Sequence, residues 1–392
     1  MKVLFVCPFV PWPLETGGKI RTYHLIRAAA KHAEIHLRAI EEPNMAPETR
    51  EALEAVCASV HFFERSRPGP LERVRLAKLE RWFHSDTLEA SVQNELAEGG
   101  FALIHLDELL LTRVVPQASS VPVVQHHHKL DTVLYDTLFA ETGPTRHFDR
   151  WKLHRLEAES TRRYRHHLLC SQEDAELLCG RHGALDFGVV PSGFDPEQFR
   201  RSDPTPTRDP ERIVFVGSMD YGPNVDAMPY FCAEALPLLL EQRPNLVLEI
   251  VGANPAPEVQ ALASEHVRVT GRVDAVKPYL EGAGCMVVPL RIGGGTRLKI
   301  VEALALETPV VSTTVGAEGL GLEDQKHLAL ADTPGELADT LAALLADPER
   351  ATRLARAGHA QVYERYCWDV LAEELVDYWE RVAFSGTRSP SR

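Results

Sequence analysis

The sequence predicts two doubly wound α/β domains in tandem, each a parallel sheet with helices on both faces. Three observations carry this. Short apolar runs alternate with amphipathic stretches through the first 200 residues, the order expected of βαβ units. The pattern breaks at RSDPTPTRDPER (201–212), where Pro204, Pro206 and Pro210 fall in a stretch without apolar periodicity. It then restarts with RIVFVGSM. The expected boundaries are 1–200 for the first domain, 201–212 for a linker and 213–367 for the second domain. The tail WDVLAEELVDYWERVAF is amphipathic, and a helix over about 368–386 is expected to pack back on the first domain.

In the first half KVLFVCPFV, EIHLRAI, VHFFER, FALIHLDE and VPVVQHHH read as strands. GGKIRTYHLIRAAAKHA and PETREALEAVCASV, which starts after Pro47, read as helices. Two further stretches, PGPLERVRLAKLERWFHS and HFDRWKLHRLEAESTRRYRHHLLCS, are basic and helical in pattern. Each is either a surface helix with a solvated face or a contact with an anionic membrane surface or anionic substrate. In the second half RIVFVGSM, LVLEIVG, VRVTGRV, CMVVPL and PVVSTT read as strands. NVDAMPYFCAEALPLLLEQRP, PEVQALASE, KPYLEGA and TRLKIVEALALE read as helices between them, and two more close the domain within 334–366. Ligands of such sheets bind at the carboxyl ends of the strands, and two such domains create a cleft where ligands collect.

Composition narrows the function. The formal net charge is −14, so general nucleic-acid binding is excluded and any anionic ligand needs a local positive cluster. The cysteines, at 7, 57, 170, 179, 232, 285 and 367, form no CxxC pair, which argues against a disulfide framework or zinc site. Cys7 reads as a small core residue. No apolar window is long enough for a membrane span. The N-terminal apolar run meets Pro8 and lacks a small-residue cleavage site, so it reads as a strand and the protein as cytoplasmic.

The stretch GGGTRLKIVE (293–302) carries the most chemistry. A strand leads into a glycine loop, and a helix is expected from about Thr296. A helix start offers free N–H groups to an anion, and glycine lets a ligand approach the backbone. Arg297 and Lys299 add charge there, and Glu302 can accept from sugar hydroxyls. Alone, the stretch is equally an ordinary strand–helix turn with two solvated cations. It is neither a GxxxxGKS loop nor a GxGxxG fingerprint, and FVCPFVPWP has no glycine, which excludes an NAD-type first strand.

At this point the second half resembles the donor domain of a GT-B glycosyltransferase, close to the large retaining family 4. FVGSMDYGPNVDA resembles that domain's opening strand and loop, and GRVDAVKPYLEGAGCMVVPL its base-binding strand, loop and next strand. GGGTRLKIVEALALETPVVSTTVGAEGL resembles the nucleotide-sugar signature, and VVPSGFDPEQF the segment between domains. The resemblance implies a nucleotide diphosphate sugar as co-substrate, UDP- or GDP-linked, with no metal or other cofactor. It implies donor contacts from Gly217, Ser218, Asn224, Arg272 and Val273, with Glu302 on the ribose. The family's E-x7-E motif would put its first acid at 294, where this chain has Gly294. Its usual Arg and Lys after the domain's first strand are also absent, so Arg297 and Lys299 are expected to take the diphosphate. The backbone of Gly294, Gly295 and Thr296 is expected to contact sugar or phosphate.

In the first half PFVPWPLETGGKIRTYH resembles the acceptor-side glycine loop, which places Gly17 and Gly18 at the site, with Lys19 and Arg21 as candidate cations. VPVVQHHHKLD matches the family's histidine pattern with His128 first, His126 second and Asp131 as the acid. Ser171 is expected to cap the next helix. The function implied is hexosyl transfer to a glycan, lipid-linked or small-molecule acceptor, with peripheral membrane contact at the inner face and no nucleic-acid partner. A GT-B nucleotide-sugar epimerase and a catalytically decayed sugar-nucleotide scaffold are the alternatives.

Overall fold

A computed structural model gives the protein's structure. It describes residues 1–384 apart from 44, 139–143, 205 and 294–296, with the backbone alone at 137, 138, 144 and 145. The chain divides into two compact units, Met1–Pro191 with the chain from Trp368 onward, and Ser192–Cys367.

The first unit is built on β1 (Lys2–Cys7), β2 (Glu34–Ile40), β3 (Ser59–Phe63), β4 (Leu103–Asp107), β5 (Val123–His126), β6 (His166–Leu169) and β7 (Asp186–Val189). They form one parallel sheet in the order β3-β2-β1-β4-β5-β6-β7. The second unit carries β8 (Asp209–Val216), β9 (Val247–Val251), β10 (Val267–Gly271), β11 (Ala283–Val288), β12 (Val310–Ser312) and β13 (Ala329–Leu330), again parallel, in the order β10-β9-β8-β11-β12-β13. Both sheets are the predicted α/β class. The strand order reverses between β1 and β4 in one and between β8 and β11 in the other, and such reversals are where ligands of open sheets bind.

The apolar runs form strands because both faces of each sheet are covered. Val3, Phe5 and Cys7 bury on one side with Leu25 and Ile26 of the helix Gly17–Ala29 and Leu375 and Trp379 of the helix Trp368–Phe384. Leu4 and Val6 bury on the other side with Leu88 and Val92. Each fully buried Leu or Ile contributes about 1.5–3 kcal/mol of transfer free energy, so the alternation along one strand secures two helical layers.

Several elements differ from expectation. The helix Asp86–Glu98 was not anticipated, because Leu88 and Val92 are its only fully buried residues. Ser85 caps it by accepting from the Leu88 N–H. The expected single helix before β9 is Gly222–Tyr230, a π turn Phe231–Ala235 and Leu236–Gln242, since Pro229 and Pro237 each remove a donor. PGPLERVRLAKLERWFHS makes two short helices, Pro70–Arg75 and Lys78–Trp82, because Leu76 is extended between them. The proline-rich stretch does not hang free. Arg201 pairs with Glu307 at 2.5 Å, Ser202 donates twice to Glu281, and Arg208 reaches the carbonyls of Leu306 and Glu307, all within the second unit. β8 accordingly begins at Asp209, inside the stretch read as linker. Ser171 does cap the helix Gln172–His182, accepting from the Asp174 N–H.

Candidate functional site

Two constellations lie at the two strand-order reversals. In the first unit β4 ends on Asp107, a fully buried carboxylate. β5 ends on His126, and the run after it alternates sides as extended backbone must. His126 Nδ1 lies 2.7 Å and His128 Nε2 2.9 Å from Asp107 Oδ1. His127 turns the other way and stacks on His167. Thr22 donates to Asp107 Oδ2 at 2.9 Å, and the Cys7 thiol to the same oxygen at 3.5 Å. Burial alone would raise the Asp107 pKa, but His128 and hydrogen bonds from His105, His126 and His128 outweigh it and hold the group well below its ordinary value.

Two donors fix the tautomers behind this carboxylate. Arg21, which can only donate, reaches His126 Nε2 at 3.0 Å, so His126 carries its proton on Nδ1 and donates to Asp107. Trp379 Nε1 donates to His105 Nδ1 at 3.0 Å, leaving the His105 proton on Nε2, which lies 3.1 Å from His126 Nδ1 and 3.8 Å from Asp107 Oδ1. Burial first, and for His126 also Arg21, pushes the pKa of both rings down. His105, Asp107 and His126 offer ligand atoms within 4.8 Å of one another. A histidine bound to a metal through one nitrogen carries a proton on the other and donates it. Here both outer nitrogens already face donors, which is the surrounding of a hydrogen-bonded network.

The two candidate cations and His126 are all turned into the unit. Arg21 is only 1% exposed and is turned onto His126 and the Val190 carbonyl, so its charge is spent inside the unit. Lys19 is paired with Glu42 at 2.7 Å. His126 is fully buried behind His128. A Cβ on Gly18 would lie 3.5 Å from Phe9 and 3.6 Å from His128, an ordinary contact, whereas one on Gly17 would meet nothing within 4 Å. Asp131 opens the helix Asp131–Leu138 and lies 3.3 Å from Lys129. Asp107 and Glu108 were missed. The available signal was two acids closing the apolar run FALIHLDE, where a strand buried on both faces has little reason to end on charge.

In the second unit the helix Leu298–Ala305 begins two residues later than expected, with Arg297 as its N-cap. Lys299 reaches back to the carboxyl end of β8. Its Nζ donates to Asn224 Oδ1 at 2.7 Å and lies 4.0 Å from the centre of the Phe215 ring. Asn224 in turn donates to the Ser218 carbonyl at 2.7 Å. A side chain on Gly217 would fall 2.6 Å from Asn224 and 2.8 Å from Lys299 Nζ, so glycine is what lets these groups close over the backbone. Behind it, Gly252 has φ +158° and a Cβ there would be 1.7 Å from the Gly217 carbonyl. The sequence thus brings Gly217, Ser218, Asn224 and Lys299 together.

Arg297 takes a different direction. It is buried against Gly293, donates to the Val315 carbonyl at 3.1 Å and lies 3.9 Å from Glu318. Ser218 donates to Asp220 at 2.6 Å. Arg272 is exposed just past the edge strand β10, and Val273 is half-buried against the core. Gly294, Gly295 and Thr296 lie outside the described residues. Burial, and secondarily Arg297, lowers the Lys299 pKa to about 7, and burial raises that of Glu302 to about 8 against the pull of Lys299.

Residues 210–347 match the family of group 1 glycosyl transferases. The chain is 25% identical to the phosphatidyl-myo-inositol mannosyltransferase of Mycobacterium tuberculosis (strain ATCC 25618 / H37Rv) over 406 residues, covering 99% of each. Its fold matches sucrose-phosphate synthase from Thermosynechococcus elongatus with a TM-score of 0.75 at 18% identity, covering 98% of this chain and 100% of that one. It also matches Anabaena HepE, solved in complex with UDP and glucose, with a TM-score of 0.67 at 15% identity over 96% and 98% of the two chains. Residues 210–347 thus carry the group 1 glycosyl transferase domain, the two parallel sheets have the GT-B fold of these structures, and together with the curated relatives they support a group 1 glycosyltransferase, a hexosyltransferase.

Proposed function

We propose that the protein moves a hexosyl group from a UDP- or GDP-linked sugar to an acceptor hydroxyl, retaining the anomeric configuration and using no metal, in glycan, glycolipid or exopolysaccharide synthesis. The observation that carries the donor assignment is Lys299, whose ammonium is lodged against Gly217 and Asn224 at the carboxyl end of β8. As the sugar leaves, negative charge develops on the diphosphate. Lys299 opposes it from a fixed position, which supplies what a divalent cation would supply elsewhere. Glu302 accepts from the ribose hydroxyls. In the first unit Asp107 fixes the His128 ring, which orients the acceptor hydroxyl.

A thermal-shift panel of nucleotides and sugar nucleotides, followed by product analysis, tests this. One nucleotide is expected to stabilise the chain, and its sugar is expected to reach a hydroxyl acceptor. Epimerised donor formed without acceptor, or nucleotide binding with neither transfer nor donor hydrolysis, would sink the reading.

The acceptor is proposed to lie at an anionic membrane face. Among the described residues no helix is long and apolar enough to cross a membrane. Leu71, Val74, Trp82, Phe148 and Trp151 are nevertheless exposed, with Arg73, Arg75, Arg81 and Arg155 interleaved. The two segments that carry them touch, with the Lys78 N–H donating to Asp149 at 2.6 Å and Lys152 to the Leu76 carbonyl at 3.1 Å. Aromatic residues among cations suit a charged lipid surface. Cosedimentation with phosphatidylglycerol vesicles is expected, with release by high salt. Equal binding to neutral vesicles, or none to either, speaks against it.

A further inference from the structure

Glu108 follows Asp107 at the end of β4 and has φ +70°, a conformation that side chains other than glycine rarely adopt. It is 7% exposed, and Asp131 is 6% exposed. Between them stands Lys129, its Nζ 3.7 Å from Glu108 Oε1 and 3.3 Å from Asp131 Oδ1. Glu108 Oε1 is also 3.3 Å from His128 Nδ1. The other oxygen of each acid, Glu108 Oε2 and Asp131 Oδ2, is buried without a hydrogen-bond partner. Buried carboxylate oxygens are normally satisfied, so two beside the same lysine point to donors that arrive with a ligand.

The charges around them select the ligand. Asp107, Glu108 and Asp131 outnumber Lys129, and Arg21 is committed to His126 and Val190. A phosphate would meet the two carboxylates of Glu108 and Asp131 against the one ammonium of Lys129. A cation would find the lysine ammonium already in the middle of the row. Neutral hydroxyls fit, because each can donate to a carboxylate oxygen and accept from Lys129 in one cooperative chain.

We propose that Glu108, Lys129 and Asp131 form a diol-binding subsite beside His128, so that the acceptor ring carrying the reacting hydroxyl is a neutral, unphosphorylated polyol or sugar. This rests on the acceptor-side assignment of His128 above. Raised Glu108 pKa, caused first by burial and opposed by Lys129 and His128, fits a site whose carboxyl hydrogen-bonds with neutral hydroxyls.

The test is isothermal titration of the full chain, with and without saturating UDP or GDP, using glucose, mannose and myo-inositol against glucose 6-phosphate and mannose 6-phosphate. A neutral ring is expected to bind at least about tenfold tighter than its phosphate ester, and Glu108→Gln and Asp131→Asn each to weaken it by about tenfold. Melting temperatures check that both variants are folded, and Lys129→Gln, which removes the central donor, is expected to give the same loss. Equal or tighter binding of the esters, no neutral ring bound at about 100 mM, or unchanged affinity in all three variants overturns the subsite. If no nucleotide binds and no sugar is transferred, the donor assignment falls instead, and ring selectivity measured without nucleotide still decides this proposal.

Discussion

Replacing Lys299 by methionine is expected to raise the KM for the sugar nucleotide by about 10- to 100-fold, the value of one charge-assisted contact to phosphate. Methionine fills the same channel over Phe215 without the ammonium. The variant is expected to be at least as stable as the parent. The Lys299 pKa is pushed down to about 7 by burial and Arg297, so the fold disfavours the charge it holds. The sign comes from linkage. An unfolded lysine is protonated below about 10.4, so the parent loses stability as pH falls from there to about 7, and the variant does not. Binding of a diphosphate should draw the missing proton back. Titrations of UDP or GDP at pH 8 in buffers of different ionisation enthalpy are expected to show proton uptake in the parent and none in Lys299→Met. An unchanged KM together with unchanged uptake would remove Lys299 from the donor site.

Asp107→Asn is expected to lower kcat on the order of 10²- to 10³-fold with little change in donor KM. The amide can still accept from His126 and His128 through Oδ1 and donate to Thr22 through its nitrogen, so the shape of the network survives. What disappears is the charge that orients His128. Stability is expected to drop by about 1.5–3 kcal/mol, one buried charge-assisted set. The pH profile separates this from general damage. The Asp107 pKa is held well below its usual value, so its contribution is present above about pH 4 and fades as pH falls further. The variant should lack that acid-side loss. A kcat within about threefold of the parent would show that His128 does not depend on this carboxylate.

Much of the fold was legible, and its limits are physical. EIHLRAI was read as a strand and is β2, Glu34–Ile40, because both its faces are buried. The helix Asp86–Glu98 escaped because it rests on a single turn of apolar contacts, Leu88 and Val92. In the site, Lys299 and Asn224 were legible as residue types, but Arg21 and Arg297 looked equally suited to an anion. Arg21 is closed onto His126, and Arg297 onto Val315. Composition cannot distinguish a cation aimed at a ligand from one satisfied by a carbonyl, since both uses ask for the same side chain.

The sequence by itself determined most of the order of strands and helices, the restart of that order at the proline-rich stretch and the glycine-rich approach to the helix at Leu298. These are local properties, set by apolar period and backbone freedom within a few residues. The tertiary structure alone decided which histidine of the run 126–128 meets what. Asp107 is 21 positions from His128, and Trp379, which fixes the tautomer of His105, is 274 positions from it. A tautomer is set by whichever donor or acceptor the fold brings to the ring's second nitrogen, and no window of neighbouring residues contains that partner.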